Sequence, residues 1–416
     1  MVSPSPEAVA TAVVLFAAMA AYAVFAGADF GGGIWDLLAG GAERGAEPRA
    51  AVDASVTPVW EGNQVWIVYG FVIVWTGFPA AFAAVMTALF APLCLSLLGL
   101  FFRGIGFSFR HEAERPAMKR LSGALFAASS LVTPFFLGTV IGAVADGGVP
   151  VRPTGNVLAA WTSPVALVTG FLFVAACAYI GAVYLVGDCD RRGEPDMVRY
   201  FSRRAVVSGL VTGVIAAVNL ALMRTSTPYV FHRLFGPALP LVVLSVAAGA
   251  AALVLVLARR TVLLRVTAAL AVVSVIGAWG WAQYPWLLPG VLDLRTGSAP
   301  RAALLAELVV AALAVLLVVP SFSYLYWLQQ HSRLQESPPS EGLRQAVEAQ
   351  QRAETPAPAA PRPAGRGERF AAGAVLAAAA VRLAVETLTR RRARAGGPRA
   401  RRTSAPPRTR PPGNGE

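Results

Sequence analysis

The chain has 416 residues, of which 56% are hydrophobic and only 14% are charged, and its mean hydropathy is +0.57. Soluble domains carry roughly 25% charged residues, so these figures exclude a soluble globular protein and predict an all-α integral membrane protein. The formal net charge of +13 is concentrated in alternate loops and the C-terminus, which argues against nucleic-acid binding by a folded basic face.

Nine apolar runs have a length close to the roughly 20 residues that cross a bilayer as a helix. They lie near residues 8–28, 57–77, 80–102, 121–144, 162–186, 205–223, 237–258, 262–283 and 302–328. No Lys or Arg precedes the first run, and it is too long for the apolar region of a signal peptide. We therefore expect it to remain as the first of about nine transmembrane helices.

The distribution of arginine and lysine predicts the topology. One set of loops and helix edges is rich in these residues: Arg44, Arg49, Arg103, Arg110, Arg115, Lys119, Arg120, Arg191, Arg192, Arg199, Arg203, Arg204, Arg259 and Arg260. The opposite set contains only Arg152, Arg224, Arg233, Arg295 and Arg301. By the positive-inside rule, the N-terminus is outside and the C-terminus is in the cytoplasm.

The composition changes near residue 330. Residues 1–330 form the predicted transmembrane domain, whereas residues 331–416 form a cytoplasmic tail rich in Pro, Ala and Arg that we expect to be mostly disordered. Residues 370–389 are Ala-rich and favour a helix that lies on a surface or binds a partner, since Arg382 and Glu386 interrupt the apolar run. The basic end of the tail is suited to anionic lipid.

Ionisable residues within membrane spans are costly and indicate functional sites. Asp29, Asp36, Glu61 and Arg103 lie toward the predicted cytoplasmic side, and Glu307 lies toward the outer side. For Asp36, which is close to a loop, a solvated carboxylate is the favoured interpretation. The GxxxG pairs Gly27–Gly31, Gly138–Gly142 and Gly209–Gly213 predict close helix packing.

The segment Trp60-Glu61-Gly62-Asn63-Gln64-Val65-Trp66 places a carboxylate and two amides in the opening turns of a membrane helix. Glu61 and Gln64 are i,i+3 neighbours and predict a polar cluster at a protein interface. A partly desolvated carboxylate there could exchange protons near neutral pH. Alternatively, Glu61 and Asn63 satisfy free N–H groups at a helix start and the tryptophans anchor at the interface.

Haem in a membrane bundle normally needs buried His or Met ligands. His111, His232 and His331 all fall outside the predicted spans, and an isolated Met within a span is more often packing. The chain also has no CxxC pair. We therefore expect no haem or metal ion to be bound by this chain itself.

Several ordered motifs between residues 8 and 334 resemble subunit II of the cytochrome bd quinol oxidases, which are bacterial terminal oxidases. The segment from Trp60 to Trp66 is similar to that family's W-[DE]-G-N-Q-V-W signature. Gly27-Ala28-Asp29-Phe30-Gly31 is similar to its G-x-D-x-G, and the segment from Phe101 to Arg110 to its F-F-R-x-x-G-F-x-x-R. Many members have an acidic residue where this chain has Ala26.

The resemblance implies two four-helix bundles plus a peripheral helix, in a complex with a subunit I that carries haem b, haem d and the quinol site. Such a complex oxidises quinol and reduces O2 to water with protons from the cytoplasm. The resemblance implies a role in proton uptake for Glu61 and Asp29. It leaves open a quinone bound in this subunit and small accessory subunits.

Within this interpretation, Asn63 and Gln64 orient Glu61 or a water chain, and Trp60 and Trp66 wall the path. Arg103 is either an electrostatic partner of the carboxylates or an interfacial anchor. The main alternative function is an ion-coupled secondary transporter, because intramembrane carboxylates and Gly-broken helix ends also describe an ion-coupled site. Its charged groups would be expected near the midplane rather than near one face.

Overall fold

The computed structural model describes residues 3–41, 44–56, 60–112, 116–151 and 158–330 of the chain. The predicted tail 331–416 and its helix 370–389 lie outside these residues. The elements are α1 (Pro6–Leu37), α2 (Ala46–Val56), α3 (Trp60–Asn63), α4 (Val65–Gly77), α5 (Pro79–Ala88), α6 (Phe90–Glu112), α7 (Pro116–Ala145), α8 (Pro164–Arg192), α9 (Pro195–Ser226), α10 (Pro228–Leu234), α11 (Leu239–Leu257), α12 (Leu264–Gln283), β1 (Trp286–Leu288), β2 (Leu292–Asp293), α13 (Leu294–Gly297) and α14 (Arg301–Gln330).

In the described part of the chain, eight helices are long and apolar enough to cross a membrane, and a bent pair raises the number to nine if it counts as one span. The predicted all-α membrane fold is therefore confirmed. Local sequence explains where two of these helices begin. Ser5 and Ser163 each accept a hydrogen bond from a backbone N–H of the first turn, and Pro6 and Pro164 follow them as first helical residues.

The spans pack as two groups of four. Helices α1, α4, α6 and α7 form the first group, in which α1 packs on α4 and α7 and α6 packs on α7. Helices α8, α9, α11 and α12 form the second group and contact one another in a ring. Helix α1 also contacts α8 and α12, and α7 contacts α8, so these two helices join the groups. Helix α14 lies beside α1 and α4.

The predicted second and third spans differ from the structure at their boundaries. The run 57–77 contains the short helix α3 and the helix α4, and α5 then turns by 119° from α4. The helix that corresponds to the third predicted span, α6, begins at Phe90 rather than near residue 80. Pro79 starts α5, and Pro92 cannot follow within a continuous α5 because its ring would clash with the carbonyl of Ala88.

Glycines allow α8 to approach both α1 and α7 closely. A Cβ atom on Gly31 would lie 2.1 Å from the Cys177 carbonyl oxygen and 2.7 Å from the Cα of Gly181, and one on Gly138 would lie 2.8 Å from the Cα of Gly170. The predicted packing role is therefore confirmed for Gly31 and Gly138. Gly213 differs, because a Cβ atom there would meet nothing within 4 Å.

A compact segment precedes α14. Strands β1 and β2 pair antiparallel, and Asp293 caps the short helix α13 by accepting hydrogen bonds from the backbone N–H and hydroxyl of Thr296, each 2.7 Å long. The Thr296 groups hold the pKa of the Asp293 carboxyl below its usual range. This segment leads directly into α14, whose first residue Arg301 pairs with Glu7 of α1 at 2.8 Å.

Candidate functional site

Asp29 lies in the last third of α1 with only 4% of its surface exposed. The Asn63 side chain, which is 1% exposed, reaches it from α3 and donates a hydrogen bond of 2.6 Å from Nδ2 to Asp29 Oδ2. The same Nδ2 is 3.4 Å from the carbonyl oxygen of Phe25, one turn earlier on α1. The structure thus brings together one residue from each of two sequence motifs.

Arg103 of α6 approaches the same part of α1. It is 1% exposed, and its Nη2 donates a hydrogen bond of 2.8 Å to the backbone carbonyl oxygen of Asp29, whereas Nη1 contacts the Ser130 hydroxyl of α7. Its guanidinium lies 4.9 Å from the ring centre of Phe30 and 4.4 Å from that of Phe126. Such burial excludes the interfacial-anchor interpretation.

The guanidinium needs the space that a glycine provides. A Cβ atom on Gly33 would lie 2.0 Å from Ser130 Oγ and 3.1 Å from Arg103 Nη1. The run Gly31-Gly32-Gly33 therefore allows close packing on two sides of α1. Gly31 leaves space for the backbone of α8, and Gly33 leaves space for the contact between Arg103 and Ser130.

Gln64 and Trp66 border this cluster. The Tyr22 hydroxyl of α1 donates a hydrogen bond of 3.5 Å to Gln64 Oε1. The Trp66 ring stacks on Phe25 with centroids 6.3 Å apart and contacts Phe322 of α14 at 5.9 Å. The start of α4 thus packs between α1 and α14.

Glu61 and Trp60 belong to α3, which packs on α1. Their side chains lie outside the part of the structure that is described, so the role assigned to Glu61 stays a prediction. Its backbone position, two residues before Asn63, places Glu61 in the same short helix as the residue that binds Asp29.

Asp36 and Cys189 differ from what the sequence predicts. Asp36 is 4% exposed rather than solvated, because Arg49 of α2 lies over it and pairs with it at 3.1 Å. Cys189 follows the apolar run 162–186, so the sequence predicts that it lies in a loop. In the structure it is buried in the last turn of α8, because this helix continues to Arg192 before Gly193 ends it in the left-handed region.

A second buried carboxylate belongs to Glu307 of α14, which is 8% exposed. The Thr76 hydroxyl of α4 lies 2.5 Å from Glu307 Oε2 and 2.8 Å from the Val72 carbonyl oxygen. Glu307 is therefore separate from the Asp29 cluster and links α14 to α4 by a polar contact within an apolar environment.

Four residues of the Asp29 cluster were missed by sequence reasoning: Tyr22, Phe30, Phe126 and Ser130. Each is neutral and common in membrane spans. The one sequence signal was the polar pair Ser129-Ser130 in the middle of a predicted span.

The cluster keeps an ionisable side chain away from bulk water. Asp29 is a carboxylate whose Oδ2 has a fixed donor, and Arg103 supplies a permanent positive charge that is held by rings and a hydroxyl. In the described ranges, no group of three or more His, Cys, Asp or Glu residues is placed to bind a metal ion. The fold and this cluster define a polytopic α-helical membrane protein with ionisable groups buried toward one end of its first helix.

Comparison with known proteins identifies the family. The model of the family "Cytochrome bd terminal oxidase subunit II" matches residues 8–329. The chain therefore belongs to the cytochrome bd terminal oxidase subunit II family and is a multi-pass protein of the cytoplasmic membrane. The resemblance stated from the motifs is confirmed.

Individual relatives match only part of this chain, and at low sequence identity. Cytochrome bd-I ubiquinol oxidase subunit 2 of Escherichia coli is 28% identical over 39% of this chain and 44% of the relative. Cytochrome bd ubiquinol oxidase subunit 2 of Bacillus subtilis is 25% identical over 40% of this chain and 51% of the relative. The alignments thus span about half the length of these relatives.

A solved structure has the same fold. A chain of the bd oxidase from Geobacillus thermodenitrificans superposes with a TM-score of 0.64 at 22% identity and covers 78% of this chain and 98% of its own length. This likeness supports the arrangement of the helices described above.

Proposed function

We propose that this chain is the non-haem subunit of a bd-type quinol:oxygen oxidoreductase and contributes to proton uptake from the cytoplasm. The observation that carries the proposal is the buried contact between Asp29 of the first span and Asn63 of the tryptophan-flanked motif. In the complex, a haem-bearing subunit I contains haem b and haem d and reduces O2 to water.

Glu61 is the entry residue in this proposal, since it lies at the start of α3 toward the predicted cytoplasmic side. Asp29 is the next proton acceptor, and the Asn63 amide fixes the direction of its carboxylate. Arg103 is a positioning residue, because it holds the backbone of Asp29 rather than its carboxylate.

The position of the cluster favours the oxidase over the transporter alternative. Asp29 is nearer the C-terminal end of α1, and Asn63 is at the end of a four-residue helix that precedes α4. Transporter sites lie near the middle of the membrane, where broken helices meet. A cluster near one face is suited to taking up protons from that side.

The test uses Glu61→Gln and Asp29→Asn in the complete complex. We expect each variant to lower oxygen consumption by roughly tenfold or more, since proton transfer by a positioned group contributes 10² to 10⁴ in rate, while haem content stays at the wild-type level. Asp196→Asn is the matched control, because its carboxylate is exposed and pairs with Arg199 of the same helix.

Three outcomes separate the interpretations. Normal oxygen consumption in Glu61→Gln and Asp29→Asn would remove both residues from the proton path. Loss of the assembled complex would instead support a purely structural role for these carboxylates. Slow turnover with full haem content, and normal turnover in Asp196→Asn, would support proton uptake through the cluster.

A further inference from the structure

A groove lies between the end of α1 and the start of α9. It has a volume of about 340 Å3 and is lined by Trp35, Leu38, Arg203, Arg204 and Val207. The two arginines occur where α9 passes from its charged opening turns into an apolar run that starts at Ala205. Such a transition places the groove at the boundary between the bilayer and water.

The positive charge of this groove is not balanced by a carboxylate. Among the residues that the structure describes, neither Arg203 nor Arg204 forms an ion pair, and the nearby Asp36 is already paired with Arg49. Arg204 is held in place, because its Nη1 donates a hydrogen bond of 3.2 Å to the Tyr200 carbonyl oxygen. The guanidinium of Arg204 also lies 5.8 Å from the Trp35 ring centre.

An exposed apolar stripe continues from the groove along α9 toward the opposite side of the membrane. Its members recur at helical spacing on one face: Val207, Leu210, Val211, Val214 and Val218. On the α1 side of the groove, Leu37 and Leu38 are also exposed. Two cationic groups therefore lie at the N-terminal end of a long apolar surface on α9.

We propose that this groove binds an anionic phospholipid of the membrane. The guanidinium groups of Arg203 and Arg204 bind its phosphate by charge-assisted hydrogen bonds, and the α9 stripe contacts an acyl chain. The charge selects an anionic over a zwitterionic headgroup. The stripe selects a lipid over soluble phosphate, which would leave the apolar surface unused.

The experiment uses the complete complex in nanodiscs of phosphatidylcholine that contain a phosphatidylglycerol with a photoreactive acyl chain. After irradiation, mass spectrometry locates the label. We expect the label on residues 207–218 of the wild type and a loss of roughly 30-fold in Arg203→Gln/Arg204→Gln, since each basic residue near an anionic surface contributes about a factor of five. Oxygen consumption is measured in parallel.

Arg259→Gln/Arg260→Gln is the matched control, because these arginines are exposed at the end of α11, on the same side of the membrane, and do not line the groove. We expect it to retain the label. Equal labelling by photoreactive phosphatidylcholine, or equal loss in both double variants, would overturn the proposal. So would displacement of the label by glycerol phosphate, which would assign the groove to a soluble anion.

Discussion

At the scale of single residues, the main feature is that Arg103 contacts the backbone of α1 rather than a carboxylate. Its guanidinium binds the Asp29 carbonyl oxygen and the Ser130 hydroxyl and lies against the rings of Phe30 and Phe126. A planar guanidinium can make these contacts together, whereas an ammonium group cannot. Arg103 therefore requires the shape of arginine as well as its charge.

We expect Arg103→Lys to lower the free energy of unfolding of the detergent-solubilised complex by about 2 kcal/mol or more, because hydrogen bonds of a charged donor contribute about 1.5–3 kcal/mol each. Thermal melting of the complex measures the change. Arg199→Lys is the control, since Arg199 is exposed and its pair with Asp196 contributes little. Equal melting temperatures for the two variants would show that the charge alone is sufficient at position 103.

The sequence predicts that Asp29, Asn63 and Arg103 lie toward the same side, because each is polar and falls at the end of an apolar run. It does not predict their contacts, since these depend on how the helices are rotated. Ser130 and Phe126 could not be distinguished from ordinary span residues. Asp36 was assigned to solvent because its partner Arg49 belongs to a separate helix that covers it.

At the scale of helices, hydropathy locates spans but not bends. Nine apolar runs correspond to eight long helices and one bent pair, because window averages do not detect the 119° turn between α4 and α5. Pro79, which starts α5, was the available signal for this turn. Small residues decide the packing between helices, as at Gly31 and Gly181.

Gly31→Ala is expected to lower the free energy of unfolding by about 1–3 kcal/mol, the usual range for overpacking. The added methyl would contact the backbone of α8 at Cys177 and Gly181, which cannot move as a side chain can. Thermal melting of the complex measures the change. Gly213→Ala is the matched control, and we expect it to be neutral or stabilising because nothing lies within 4 Å of the new Cβ atom.

The cap of α13 predicts a pH dependence. Hydrogen bonds from Thr296 hold the pKa of Asp293 below its ordinary value of 3.8. Because the folded-state pKa is lowered, the carboxylate stabilises the cap at neutral pH, and this contribution is lost as the pH falls through the folded-state pKa. We expect Asp293→Ala to weaken hydrogen-exchange protection of residues 294–297 by about 1 kcal/mol at pH 7.

Asp293→Asn is the control for this prediction, since Asn caps helices about as well as Asp but does not titrate in this range. We expect it to retain the hydrogen-exchange protection of α13 at neutral pH. Below the ordinary pKa of the aspartate carboxyl, the protection should no longer depend on pH. Equal protection in Asp293→Ala and the wild type at pH 7 would show that the rest of the segment holds α13 without the cap.

At the scale of the whole molecule, the two four-helix groups are joined by the packing of α1 and α7 on α8 and of α1 on α12, and α14 lies beside the first group. A polar contact from Glu307 to Thr76 and an ion pair from Arg301 to Glu7 attach α14 near the N-terminal end of α1. The N-terminal end of the last span is thus held beside the N-terminal end of the first.

If the proposed function is right, a tag on this chain should recover a second large membrane chain together with haem b and haem d. A reduced-minus-oxidised visible spectrum of the purified material, with identification of its subunits, is the measurement. A colourless preparation that contains this chain alone and binds a solute would contradict the oxidase assignment and favour the transporter.

The wide separation of the Asp29 partners along the chain has a consequence for biogenesis. Asn63 follows Asp29 by 34 residues and Arg103 follows it by 74. At synthesis rates of about 5–20 residues per second, Arg103 leaves the ribosome roughly 4–15 s after Asp29. The first helix therefore enters the translocon before Asn63 and Arg103, the partners of Asp29 from other helices, have been inserted. It reaches its mature environment only after α6 and α7 have been inserted.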